Sequence, residues 1–294
     1  MANLAEWNMH AGKQLKKALA GKGLVVTPGV YDMISARIAD GLGFSALYMT
    51  GFGVSATLGL PDAGLASYTE MVERVQQICE NTTTPLICDA DTGFGGLLNV
   101  ERTVRGYERA GAAAIQIEDQ VFPKRCGHTP GRRVVPIAEM VRKLEVAAAS
   151  RSSADFLLIA RTDARTPHGL DEALKRAEAY AKAGADLLFI ESPESEAEMA
   201  RIGRHFDLPL IANMADGGRT PILPKQRLEE LGYKIAIFPT TGLLAATKAL
   251  QRVYGVLKDK GSSDTLASEL PGFAELCALV GFEHVWEFER RWSD

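Results

Sequence analysis

Ala110-Gly111-Ala112-Ala113-Ala114-Ile115-Gln116-Ile117-Glu118-Asp119 carries the pattern that decides the fold. A helical stretch closes on glycine, and a short apolar run follows that ends in acids. Glycine suits the left-handed position that terminates a helix, and an unbroken apolar run suits a parallel strand buried on both faces. The phrase recurs as Gly41-Leu42-Gly43-Phe44 before Ala46-Leu47-Tyr48-Met49, as Ala183-Gly184-Ala185 before Leu187-Leu188-Phe189-Ile190, and as Leu231-Gly232-Tyr233 before Ile235-Ala236-Ile237-Phe238. Working outward, strands are expected over residues 24–30, 46–51, 85–91, 113–119, 156–163, 186–192, 209–215 and 234–240. Apolar spacing near 3.6 predicts helices over 70–80, 100–109, 138–149 and 171–183. Eight strands alternating with helices favour a closed (β/α)8 barrel, a TIM barrel, over an open doubly wound sheet. No GxGxxG nucleotide turn follows any strand.

The chain of 294 residues is 46% hydrophobic, enough for one large core, and no linker divides it, so residues 1–294 are expected to form a single barrel domain. The formal charge is −4 with acids and bases interspersed. That balance offers no basic stripe for nucleic acid and no polybasic tail for anionic lipid, which leaves a small molecule as the expected partner. Met1-Ala2-Asn3-Leu4-Ala5-Glu6-Trp7 lacks the apolar core of a secretory signal. No apolar run reaches the roughly 18 residues of a membrane span, so a cytoplasmic setting is expected.

Cys79, Cys88, Cys126 and Cys277 show no CxxC spacing, against both a zinc knuckle and a disulfide framework. All but Cys126 read as core filler. His10, His168 and His205 lack paired ligand spacing and read as solvated or capping residues. Beyond the last strand, 264–294 forms a C-terminal extension. A helix expected over 268–292 carries Phe273, Leu276, Val280, His284, Phe288 and Trp292 at three- and four-residue intervals. Either its own barrel or a partner subunit must cover that face.

Active sites of such barrels lie at the carboxyl ends of the strands. Here those ends read Asp89-Ala90-Asp91, Glu118-Asp119, Arg161-Thr162-Asp163, Glu191 and Asn213. Acids converging on one barrel mouth must be offset by cations, hydrogen bonds or protonation, and Arg161 offsets only part of the charge. A hard divalent ion fits an all-oxygen set, Mg2+ first and Mn2+ second, held by Asp89, Asp91 and Glu118. The plainer alternative is that Asp–Arg pairs tie the strand tops together. The loop after the fourth strand, Lys124-Arg125-Cys126-Gly127-His128, surrounds a thiol with positive charge, which lowers its pKa and suits proton exchange at carbon. Taken alone, Lys124 reads as an exposed surface charge, and His128 either tunes the thiol or supports the loop.

Lys124-Arg125-Cys126-Gly127-His128, with Asp89-Ala90-Asp91-Thr92-Gly93-Phe94-Gly95, Ile117-Glu118-Asp119-Gln120 and Ala160-Arg161-Thr162-Asp163-Ala164, resembles the isocitrate lyase and phosphoenolpyruvate mutase superfamily. Within it the motifs look most like those of 2-methylisocitrate lyases and 2,3-dimethylmalate lyases, in order from about Thr27 to Thr240. The resemblance implies a barrel whose last helix is exchanged between subunits, usually in a dimer of dimers. It adds Asp62 to the metal set of Asp89, Asp91 and Glu118. It implies Cys126, Arg161, Lys124 and His128 as catalytic residues, and Thr50, Gly51, Phe52, Asp62, Gly127, Arg161, Glu191 and Asn213 as substrate contacts.

The implied reaction is cleavage of a 2-hydroxy dicarboxylic or tricarboxylic acid to pyruvate and a second acid. After the seventh strand, Asn213-Met214-Ala215-Asp216-Gly217-Gly218 replaces the Thr-Glu-Phe-Gly that usually follows the asparagine in methylisocitrate lyases. That change favours propionate over succinate as the second product. Phosphonomutase, oxaloacetate decarboxylase or hydrolase, and a non-catalytic metabolite-binding protein are the rival readings.

Overall fold

The computed structural model describes residues 4–127, 129 and 131–293. Its strands are β1 (Val25–Val30), β2 (Leu47–Met49), β3 (Leu86–Asp89), β4 (Ala114–Glu118), β5 (Leu157–Thr162), β6 (Leu187–Ile190), β7 (Ile211–Asn213) and β8 (Ile235–Phe238). All are parallel, in the order β6-β5-β4-β3-β2-β1-β8-β7. A parallel bridge between Leu188 and Leu210, with the Leu188 N–H donating to the Pro209 carbonyl at 3.1 Å, brings β6 to the foot of β7 and nearly closes the ring. The fold is a (β/α)8 barrel.

Side chains alternate along each strand between two cores. Val25, Tyr48, Ile87, Ala114, Ile159, Phe189, Ile211 and Ile237 fill the barrel interior. Their neighbours Leu47, Met49, Cys88, Ile115, Ile117, Leu158 and Leu188 face the helices, packing with Val75, Ile78, Val104, Leu144 and Tyr180. An element that the sequence reading did not anticipate, the helix Leu4–Ala20, joins the interior core through Ala11 and Leu15. Its Gly12 lies so near Asp155 that a Cβ would sit 2.1 Å from that residue's carbonyl oxygen, which excludes any side chain there.

The C-terminal extension departs from the single helix expected over 268–292. A helix Phe273–Val280 stops at Gly281, whose φ of 91° belongs to the left-handed region, and a second helix, Phe282–Trp292, then begins. Arg37 ties the first to the body by donating to the Leu279 carbonyl at 2.9 Å. Phe273 is 82% and Trp292 64% exposed in the single chain. Among the described residues no helix is long and apolar enough to cross a membrane.

Candidate active site

The two-residue alternation that fills the interior with apolar groups sends a polar layer inward at the carboxyl ends of the strands. Asp89, Glu118, Arg161, Glu191 and Asn213 are all buried there. Arg161 Nε lies 3.2 Å from Glu118 Oε2 and 2.9 Å from Asp163 Oδ2, and its Nη2 lies 3.3 Å from Glu191 Oε2. The guanidinium stands 5.1 Å from the centre of the Phe189 ring. Asn213 Nδ2 donates to Glu191 Oε2 at 3.0 Å. Arg132 closes the group from outside, 2.8 Å from Asp163 Oδ1, and together the two arginines hold the Asp163 carboxyl below its ordinary range against the cost of burial.

Asp119 is one position out of phase and points the other way. It accepts from Thr162 Oγ1 at 2.7 Å, the Asp163 N–H at 2.9 Å, Tyr180 OH at 2.7 Å and Arg176 Nη1 at 3.2 Å. This acid ties strand tops to the helix Leu170–Lys182, as the plainer reading expects.

Asp91 follows β3 in a left-handed conformation, φ 48°, that costs a non-glycine residue about 1 kcal/mol or more. The turn is held from both sides. The Asp91 N–H donates to Asp89 Oδ1 at 3.1 Å, and its carbonyl accepts the Glu118 N–H at 2.9 Å. Burial pushes the Asp91 carboxyl up to about 6, with Asp89 and Asp62 adding to the rise and Lys124 opposing it. Burial also raises Glu118 well above the usual carboxylate range, against the pull of Arg161.

Lys124 is not the exposed charge that its local sequence suggests. It is 4% exposed, lies 2.7 Å from Asp91 Oδ1 and also pairs with Asp62. Burial would lower its pKa, but Asp91 and Asp62 raise it further, so the ammonium stays charged.

The loop beyond Lys124 is docked onto the polar layer. The half-buried Cys126 donates its N–H to the Asp62 carbonyl at 3.1 Å, and its own carbonyl accepts from the Thr129 hydroxyl at 2.8 Å. Ser192 Oγ donates to the Gly127 carbonyl at 3.2 Å. A Cβ on Gly127 would lie 2.5 Å from Arg161 Nη2, so only glycine permits this approach. His128 lies outside the described residues.

A cavity of about 260 Å³ opens beneath the loop. Of the residues expected from sequence, Thr50, Phe52, Asp62, Asp89, Glu118, Lys124, Cys126, Gly127, Arg161, Glu191 and Asn213 line it. Gly51 and Asp91 do not. Gly51 instead leaves room for Asp89, whose Oδ2 a Cβ there would approach to 2.7 Å. The sequence reading missed Tyr48, which lines the cavity and donates to Gln116 Oε1 at 3.2 Å, while Gln116 Nε2 donates to Asp89 Oδ1 at 3.3 Å. The available signal was their spacing, two residues before Thr50 and Glu118 on the inward side of the same strands. Arg125, Asp216, Gly217, Gly218 and Leu244 are also among the lining residues.

Among the described residues no three acids, histidines or cysteines stand close enough to enclose an ion, and Lys124 bridges Asp62 and Asp91. The donor chemistry nevertheless suits one. The carboxylates of Asp62, Asp89, Asp91, Glu118, Asp163 and Glu191 outnumber Lys124, Arg132 and Arg161, and the buried Glu118 Oε1 has no hydrogen-bond partner among the described residues. Unmatched carboxylate oxygens of this kind fit a hard divalent cation.

A phosphoenolpyruvate phosphomutase family model matches residues 15–257. The chain belongs to that family. It is an enzyme of the phosphoenolpyruvate mutase and isocitrate lyase superfamily. Among the family's named lyases, 2,3-dimethylmalate lyase of Eubacterium barkeri is 48% identical over 286 residues, covering 97% of this chain and 99% of that one. The 2-methylisocitrate lyase of Aeropyrum pernix is 41% identical over 280 residues, covering 95% and 89%. Among solved structures, oxaloacetate acetylhydrolase in complex with 3,3-difluorooxalacetate superposes with a TM-score of 0.91 at 35% identity, covering 95% and 96%. Phosphonopyruvate hydrolase in complex with oxalate and Mg2+ superposes with a TM-score of 0.88 at 30% identity, covering 97% and 99%.

Proposed function

We propose that the chain is a Mg2+-dependent carbon–carbon lyase that cleaves 2,3-dimethylmalate, or a closely similar 2-substituted malate, to pyruvate and propionate. One observation carries this reading: the loop bearing Cys126 is docked against Arg161 and Glu191, so a thiol lines the same cavity as the acids and the arginine. A lyase must deliver a proton to carbon. A phosphonomutase, which moves a phosphorus group, needs no such donor.

Asp62, Asp89, Asp91 and Glu118 would hold Mg2+, directly or through water, with Mn2+ as a substitute. Bound there, the ion supplies Lewis acidity to the substrate's α-carboxylate and C2 oxygen. Thr50 and Phe52, which line the cavity beside the acids, orient the α-carboxylate, and Arg161 faces the C2 oxygen. The C2 hydroxyl gives its proton to a carboxylate of the site as the C2–C3 bond breaks, so that C2 becomes the carbonyl of pyruvate and the electron pair passes to C3 and its carboxylate. Arg161 stabilises that charge, and Cys126 donates a proton to C3. Lys124 holds Asp62 and Asp91 in place while the Cys126 loop keeps bulk water from the carbanion-like fragment.

Phe52, Leu244, Gly217 and Gly218 line the cavity beside Asp216, whose charge would oppose a third carboxylate and offset the nearby cation of Arg125. This favours dimethylmalate over methylisocitrate, which would yield succinate. Likeness to oxaloacetate acetylhydrolase makes hydrolysis of oxaloacetate the second reading. We read 1–294 as one catalytic unit acting in the cytoplasm and 264–294 as its assembly element, with a second subunit covering the exposed aromatic residues.

An assay of pyruvate release from 2,3-dimethylmalate, 2-methylisocitrate and oxaloacetate, with and without EDTA, tests the proposal. Metal-dependent pyruvate from dimethylmalate is the expected result. Oxalate and acetate from oxaloacetate, with no pyruvate from either malate derivative, would replace the lyase by the hydrolase.

A further inference from the structure

The helix Ile137–Ser150 turns Met140, Leu144 and Ala147 into the outer core, and Lys143 shares that buried face at 6% exposure. An ammonium taken out of water is costly unless it gains partners. Lys143 gains a carbonyl: its Nζ donates to Thr92 O at 3.0 Å. No carboxylate is in ion-pair contact with it among the described residues. Burial lowers its proton affinity, while Glu139 and Glu118 pull the other way.

Thr92 directly follows Asp91 in the strained turn. Other carbonyls of that turn are gripped by the fourth strand and by the helix Leu97–Arg109. Asp89 O accepts from Tyr107 OH at 3.3 Å, Asp91 O from the Glu118 N–H at 2.9 Å, and Gly93 O from Thr103 Oγ1 at 3.3 Å. Lys143 contributes the charged member of this set, reaching in from a helix that begins beyond the Cys126 loop.

We propose that Lys143 is a positioning residue that sets the divalent-cation affinity of the site, by fixing the Thr92 carbonyl so that the left-handed turn presents Asp91 beside Glu118. The proposal rests on the reading of Asp89, Asp91 and Glu118 as metal-holding groups. Without the lysine the turn can relax away from φ 48°, and the acids lose their mutual geometry.

Mn2+ binding to the full chain, followed by electron paramagnetic resonance without substrate, tests it. Lys143→Met keeps the apolar stem and removes the donor, and Lys143→Arg keeps a donor. Loss of a group that orients metal-holding residues typically weakens affinity about 10–100-fold. K143M is expected to fall in that range, and K143R to recover most of the loss. Wild-type affinity in a folded K143M, even one with lowered stability, overturns the proposal and leaves Lys143 a structural tie. If K143M does not fold by circular dichroism, Lys143→Leu, which also lacks a donor, is read in its place by the same criterion. Failure of the wild-type chain to bind Mn2+ would instead overturn the metal reading beneath it.

Discussion

Glu118 and Arg161 face one another across adjacent strands, paired in the register of β4 and β5, with Arg161 Nε 3.2 Å from Glu118 Oε2. The same guanidinium reaches Asp163 and Glu191, so one cation holds together acids from several strand ends.

Replacing Arg161 by Met should therefore strand those carboxylates in a buried site. Breaking a buried ion pair costs about 3–5 kcal/mol. Urea unfolding in EDTA is expected to show a loss of that order, with pyruvate release abolished. A stability change within error would show that the acids are neutralised by other means.

Cys126→Ser should keep the fold and Mn2+ binding, because the hydrogen bonds that dock the residue's backbone do not involve the thiol. General acid–base groups contribute roughly 10²–10⁴-fold. A fall in kcat of that size, with product binding intact, is expected. Undiminished turnover would remove the thiol from the reaction.

Gly127→Ala places a methyl 2.5 Å from Arg161 Nη2 and 3.1 Å from the Glu191 carboxyl carbon. The loop must lift to admit it, at little cost to global stability. A misplacement of about 1 Å near the chemistry can cost 10²-fold. Steady-state kinetics beside thermal unfolding should show kcat/KM reduced by that order and Tm nearly unchanged.

Proton linkage gives a signed expectation for the metal-free protein. The Asp91 carboxyl is raised from 3.8 to about 6 in the folded chain, so between those values the folded state holds a proton that the unfolded state has lost. Stability from this group is lost as pH rises through that window. Asp163, held low, acts oppositely and loses its contribution only at lower pH. Thermal unfolding in EDTA should thus give no gain in Tm between pH 5 and pH 7.5 from the site. Mg2+ should add more at pH 7.5, where it no longer competes with protons. Equal stabilisation by Mg2+ at both values would separate Asp91 from the ion.

Each of the eight strands was legible because glycine closed a helix before many of them and the runs were too apolar for anything but a doubly buried sheet. The acids at their ends were legible for the same reason, since charge at the end of such a run is conspicuous. The sequence reading took Glu118 rather than Asp119 for the ion, but both end the same run, and the bracing role of Asp119 depends on the phase that closure of the ring sets. Lys124 looked exposed because its sequence neighbours are polar, whereas the acids that bury it come from residues 62 and 91. Arg132 and Lys143 carried no local signal, as their partners lie on other elements. The break at Gly281 could have been read from the rule for glycine after a helix, but regular aromatic spacing on both sides masked it.

The opposite fates of Glu118 and Asp119 limit how a barrel like this can evolve. One residue inserted into β4 ahead of them would turn Glu118 out into the helical shell and aim Asp119 at the substrate, exchanging a reactive group for a structural brace in a single step. New specificities in such a scaffold must therefore arise by swapping side chains at fixed stations or by rebuilding loops such as 213–221, while strand length is frozen.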